Sequence, residues 1–146
     1  MLSAVVDTNV IVAGILTAFS NSASHLLLNR LWKEEFLLVC SPAALLEIAE
    51  VLAHPEMQKI HRLRDAEIRA FCQALEIRSR MFVGTRPVSP TVTRDVTDTK
   101  WVALAIESVA DYLVTFDRRH LHRLRKVGQT RIVTPHKFLQ ALDRET

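Results

Sequence analysis

Glycine and proline are scarce in this chain, 3 and 5 of 146 residues, and no repeat or low-complexity stretch interrupts it. That leaves little room for long flexible linkers and favours closely connected helices and strands throughout. Cysteine is scarcer still. Cys40 ends one apolar run and Cys72 lies inside another, so both read as small buried hydrophobes of a reducing compartment, and neither a disulfide nor zinc is expected. No stretch approaches roughly 18 uninterrupted apolar residues. The N-terminus has no basic segment followed by a long apolar one, so neither a membrane span nor a signal peptide is indicated and a cytoplasmic location is expected. Nor does one sign of charge dominate: 19 Lys and Arg against 16 Asp and Glu leave a formal net charge of +3.

What is present suffices for one core. With 49% hydrophobic residues and a mean hydropathy of +0.12, residues 1–146 are expected to form a single domain. Strands are expected at Ala4 to Asp7, Phe36 to Cys40, Met81 to Val83, Asp111 to Thr115 and Ile132-Val133. Helices are expected at Ser22 to Trp32, where Ala23, Leu26, Leu27 and Leu31 follow the helical period, at Ala43 to Ala53, at Asp65 to about Arg80, after Asp98, and from Pro135 to about Leu142. Ser41-Pro42 is a helix start, a serine cap with proline in the first turn, and Pro55 a stop. Strands alternating with helices imply an α/β fold, a mostly parallel central sheet between helical layers.

Two apolar runs end on an aspartate: Val5-Val6-Asp7-Thr8-Asn9 near the start and Asp111-Tyr112-Leu113-Val114-Thr115-Phe116-Asp117 near the end. Continuous apolar runs are how buried parallel strands read, and open α/β sheets bind ligands just beyond the carboxyl ends of such strands. Asp7 and Asp117 are therefore expected side by side. Two adjacent carboxylates repel unless a cation neutralises them, and a divalent metal is the economical cation. Directly after Asp117, the run Arg118-Arg119-His120-Leu121-His122-Arg123-Leu124-Arg125-Lys126 concentrates basic residues. It suits a polyanion beside an acidic centre, and equally a solvated helix face.

Each acid also has a plain structural reading. Asp7 can cap a following helix, and so can Asp98. Glu47, near one stripe with Ala43, Leu46, Glu50 and Val51, can be an exposed ion-pair partner. Trp32 and Trp101 lie on apolar helix faces and read as core. What favours a site is that Asp7, Asp98 and Asp117 all fall where a strand ends or a helix begins.

In order along the chain, Val5-Val6-Asp7-Thr8-Asn9-Val10, the glutamate-bearing segment Ser41-Pro42 to Leu52, Thr97-Asp98-Thr99-Lys100-Trp101 to Ala105, and Ala110-Asp111 to Asp117 resemble the four motifs of the PIN domain family. This is the nuclease fold shared with VapC-like toxins of toxin–antitoxin modules. The resemblance implies a three-layer α/β/α sandwich in which Asp7, Glu47, Asp98 and Asp117 form an acidic cluster, with Asp95 auxiliary and Asn9 and Thr115 as hydrogen-bonding supports. Carboxylates and water are hard-oxygen ligands suited to Mg2+ or Mn2+, so a Mg2+-dependent endoribonuclease is expected. Arg118, Arg119, Arg123, Arg125 and Lys126 would engage RNA phosphates. The resemblance further implies a homodimer and a type II toxin masked by a small antitoxin, with the Leu26 to Trp32 surface as a candidate contact. Two departures from the pattern stand out: Thr99 follows Asp98 where the family often has Asp or Asn, and Phe116 replaces a commoner glycine, where it would narrow the groove or stack on a base.

Other readings remain open at this stage. An aspartate-nucleophile phosphatase also opens on an apolar strand ending in Asp, but needs a second Asp where Asn9 stands. A receiver-like signalling domain expects paired early acids and a late lysine, which are not seen. An RNA-processing PIN nuclease without an antitoxin, or an inactive RNA-binding PIN domain, fits the same motifs.

Overall fold

A computed structural model describes residues 1–18, 20–83, 96–117 and 125–145, with residues 96–99 described by their backbone alone. Among these residues the chain forms β1 (Ser3–Val6), α1 (Thr8–Leu16), α2 (Ala23–Trp32), β2 (Leu37–Cys40), α3 (Pro42–Ala53), α4 (Pro55–His61), α5 (Asp65–Ile77), β3 (Ser79–Met81), α6 (Val96–Ser108), β4 (Tyr112–Val114), β5 (Lys126–Val127), β6 (Thr130–Val133) and α7 (Pro135–Glu145). The strands form one sheet in the order β3-β2-β1-β4-β6-β5. All neighbours run parallel except β5 against β6.

The pleat sorts the apolar runs into two cores. On one face Ala4, Val6, Leu38 and Val114 pack with Ile11, Leu27, Leu31, Ile48, Leu52, Leu75 and Phe138, drawn from α1, α2, α3, α5 and α7. On the other, Val5, Val39, Leu113 and Ile132 meet Trp101, Val102, Leu104 and Ala105 of α6. Successive strand residues point to opposite faces, so both faces of β1 are buried, which is why its run is continuously apolar. The result is the expected three-layer α/β/α sandwich.

Topology then fixes where a site can form. From β1 the chain winds outward through β2 to β3, then returns across the sheet by way of α6 to β4, on the other side of β1. The order reverses between β1 and β4, and such switch points open a crevice at the carboxyl ends of the strands. Asp7 and Thr115 follow those two strands. At the opposite end, Asp111 is occupied structurally: its Oδ2 accepts from the Ser3 N–H at 2.9 Å, tying β4 to β1.

Several elements differ from expectation. Thr8 to Leu16, absent from the expected helices although Asp7 could cap one there, is a helix. Pro55 does not merely stop α3; it opens α4, with His54 capping through Nδ1 to the Glu56 N–H at 3.2 Å. The edge strand β3 starts two residues early, because pairing with β2 begins as soon as α5 ends at its Arg78 cap. Within the Leu26 to Trp32 segment, Leu27, Leu28 and Leu31 are buried in the core, while Leu26 is exposed. Both cysteines are free, Cys40 buried and Cys72 half-buried. Burial raises the Cys40 thiol to about 11, so it is un-ionised near neutrality. Among the described residues no helix is long and apolar enough to cross a membrane.

Candidate active site

Asp7 extends the β1 ladder by one residue, its N–H donating to the Val114 carbonyl at 3.0 Å. Its own carbonyl accepts from the Val10 and Ile11 N–H groups of α1. Asp7 thus caps α1 through its backbone carbonyl. The carboxylate is directed to other partners. Thr115 Oγ1 donates to Asp7 Oδ2 at 3.0 Å, and the same oxygen accepts from the Asp117 N–H at 3.0 Å. One fully buried hydroxyl therefore ties together the acids that follow β1 and β4. Thr115 is held in turn by its N–H to the Val133 carbonyl of β6, again at 3.0 Å.

Burial is the largest influence on the Asp7 carboxyl and raises its pKa above the ordinary 3.8. The Thr115 hydroxyl and the Asn9 N–H favour the ionised form and oppose the rise, while the charges of Glu47 and Asp117 add to it. Two acids from separate elements thus act on Asp7 at the switch point, and the net result, led by burial, disfavours charge on Asp7.

Glu47 reaches this point because α3 starts where it does. The Ser41 hydroxyl accepts from the Ala44 N–H at 3.1 Å, Pro42 occupies the first turn, and Ala44, Ile48 and Leu52 form the buried stripe. Glu47 flanks that stripe, half-buried, whereas Ala43, Leu46 and Glu50 of the expected shared stripe are exposed. Its two oxygens are engaged separately: Thr8 Oγ1 donates to Oε2 and Lys100 Nζ to Oε1. Glu47 is thereby held between the first residue of α1 and the second turn of α6. The ion-pair reading of Glu47 is thus met in part: it pairs with Lys100, at about one-third exposure rather than on an open face.

Thr8 and Lys100 are the two residues that sequence reasoning passed over. Thr8 is almost fully buried, and its signal was a hydroxyl directly after the strand-ending aspartate. Lys100 was legible as a lone cation two residues beyond Asp98, directly before the apolar run Trp101 to Ile106.

Asp98 lies in the first turn of α6, and its side chain is outside the described residues, as are Asp95, Arg118, Arg119 and Arg123 altogether. Asn9 is exposed in the first turn of α1. Arg125 and Lys126 are exposed at and next to β5, two strands from β4. There the Arg125 carbonyl accepts from the Ile132 N–H at 2.9 Å. Phe116, between Thr115 and Asp117, is 48% exposed. Trp101 is buried in the core, and Trp32 packs edge-to-face on Phe71 with centroids 5.6 Å apart.

Among the described residues no three His, Cys, Asp or Glu side chains are grouped closely enough to hold a metal ion. The side-chain atoms of these acids are all oxygens, and a divalent cation would offset the charges of Glu47 and Asp117 that act on Asp7. In chemistry and charge they fit a hard ion such as Mg2+. A search of curated proteins returns no match. A family model of the PIN domain matches residues 3–119.

Proposed function

The chain belongs to the PIN domain family, whose members are metal-dependent nucleases, and on that premise we propose that it is a Mg2+-dependent endoribonuclease, Mn2+ being the alternative ion. Asp7, Asp98 and Asp117 hold the metal, and Glu47 completes its shell or orients the attacking water. The observation that carries this reading is geometric: at the sheet's switch point the buried Thr115 hydroxyl bonds both the Asp7 carboxylate and the Asp117 N–H, each at 3.0 Å. Clustering acids in this way is unfavourable without a cation.

Bound Mg2+ would supply a Lewis acid for the charge that builds on the phosphoryl oxygens. This chain's residues do the rest. Thr115 favours the ionised form of the Asp7 carboxyl against burial and aims it, and through the Asp117 N–H it fixes where the second aspartate leaves β4. Thr8 and Lys100 hold Glu47 from opposite sides. Phe116 offers an exposed ring beside Asp117, suited to an unstacked base and hence to single-stranded RNA. The exposed Arg125 and Lys126, with Arg118, Arg119 and Arg123 before them in sequence, engage phosphates away from the scissile bond, so affinity falls as salt rises. We extend the reading to the toxin of a type II toxin–antitoxin module, a homodimer neutralised by a small antitoxin, on the resemblance of the four motifs to VapC-like toxins.

The test is cleavage of labelled single-stranded RNA with Mg2+, Mn2+ or EDTA by the wild type, Asp7→Asn and Asp98→Asn, with DNA as control. Metal-dependent RNA cleavage lost in both variants supports the reading. Cleavage unchanged in both refutes the mechanism, and salt-sensitive RNA binding with no cleavage assigns the chain to the inactive binding modules.

A further inference from the structure

We propose that Lys100 is the resident counter-ion of the acidic centre, a side chain that competes with a divalent metal for Glu47 as the centre loads. The inference rests on the metal-dependent reading above and concerns how that site is regulated.

Lys100 Nζ donates to Glu47 Oε1 with both side chains about one-third exposed, 35% and 32%. The pair joins α6 to α3 across 53 positions of sequence, and its carboxylate is one of those whose charge is felt at Asp7. The other Glu47 oxygen is taken by Thr8. Each Glu47 oxygen therefore already holds one donor, and a metal approaching Oε1 must share it with the ammonium or push the ammonium aside.

Lys100 is the donor able to leave. Thr8 is 3% exposed and fixed as the first residue of α1, whereas Lys100 sits on a flexible four-carbon stem with an outlet to solvent. Its ammonium already lies 5.4 Å from the centroid of the Trp101 ring, a second resting place for a cation. A monovalent cation bonded to a carboxylate oxygen occupies the electrostatic niche that a divalent ion would fill, and the two cannot share one oxygen without repelling each other. Metal-free, Lys100 keeps the acids together. During loading it competes, and so sets the metal concentration at which the centre fills.

This competition gives opposite signs for two measurements on one variant, which an ordinary structural ion pair does not. In Lys100→Met, thermal unfolding in EDTA should occur at a lower temperature than in the wild type, because Glu47 loses its partner beside two other acids. Calorimetric titration of the same protein with Mg2+ should show binding tightened by about tenfold, the scale of removing one partly screened competing charge. Lys100→Arg keeps the positive charge and should retain wild-type Mg2+ affinity to within about threefold, allowing for its different shape. Mg2+ affinity in Lys100→Met equal to or weaker than wild type, with wild-type circular dichroism, overturns the proposal and leaves the nuclease reading standing. A wild type that binds no Mg2+ or Mn2+ overturns both.

Discussion

Replacing Thr115 by valine removes one hydroxyl and two hydrogen bonds. The side chain is fully buried, and valine puts a methyl group where Oγ1 now lies 3.0 Å from both Asp7 Oδ2 and the Asp117 N–H. A hydrogen bond to a charged acceptor contributes about 1.5–3 kcal/mol and a neutral one about 0.5–1.5. Because the two share one oxygen and are not additive, the expected loss is about 2–3 kcal/mol. For a chain of this length that lowers Tm by roughly 5–10 °C in EDTA. The functional effect has a definite sign. Thr115 holds the Asp7 pKa down against burial, so valine lets it rise further. The acid limb of the cleavage rate should move to higher pH, and more Mg2+ should be needed for half-maximal rate. Thr115→Ser, which keeps the oxygen, should lie close to wild type in both respects. Thermal unfolding and cleavage rates across pH and Mg2+ concentration make the comparison. A Thr115→Val protein with wild-type metal requirement and pH profile would refute the assignment of this hydroxyl as the tie between the two aspartates.

Asp7→Asn should stabilise the metal-free protein near neutrality while removing activity. A carboxyl whose folded pKa is raised above its unfolded value holds its proton more tightly when folded, so its penalty is full above the folded pKa and disappears as pH falls below the ordinary 3.8. Chemical denaturation in EDTA at neutral and at acid pH checks this: the variant's advantage should shrink on acidification, and an advantage that grows contradicts it. Gly14→Ala should destabilise by about 1–2 kcal/mol, since overpacking outweighs the helix-propensity gain. Its Cβ would lie 2.6 Å from Leu28 Cδ1 and 2.8 Å from the Ser24 carbonyl oxygen, and urea unfolding reads the loss. Val109 follows α6 at φ 52, with the Ala110 N–H on the Ala105 carbonyl and the Val109 N–H on the Ile106 carbonyl. This paired arrangement favours glycine, so Val109→Gly should gain about 1 kcal/mol and raise Tm by a few degrees.

The elements that announced themselves in sequence were those whose burial matches a simple period. Val5-Val6 and Leu113-Val114 are buried on both faces, hence continuous and apolar, and Ser41-Pro42 carries its own capping chemistry. The first helix did not announce itself: Val10, Ile11 and Val12 are β-branched, Gly14 is a poor helix former, and Thr8, Val10, Ile11, Val12 and Gly14 are all buried, so no polar stripe reveals the helical period. In α4 the proline read as a stop serves as a first-turn residue, and β5, two residues long, offers no pattern. At the site, the placement of Asp7 and Asp117 after neighbouring strands was legible because sheet topology puts strand ends together. The partners of Glu47 were not, because Thr8 and Lys100 lie 39 and 53 positions away and only the packing of α1 and α6 brings them near.

The most direct measurement is Mn2+ binding followed by electron paramagnetic resonance on the wild type, Asp7→Asn and Asp117→Asn, each verified as folded. The account predicts saturable Mn2+ binding by the wild type, displaced by excess Mg2+ and strongly weakened in both variants. Binding of equal strength in all three would place the metal elsewhere and contradict the acidic centre as its site.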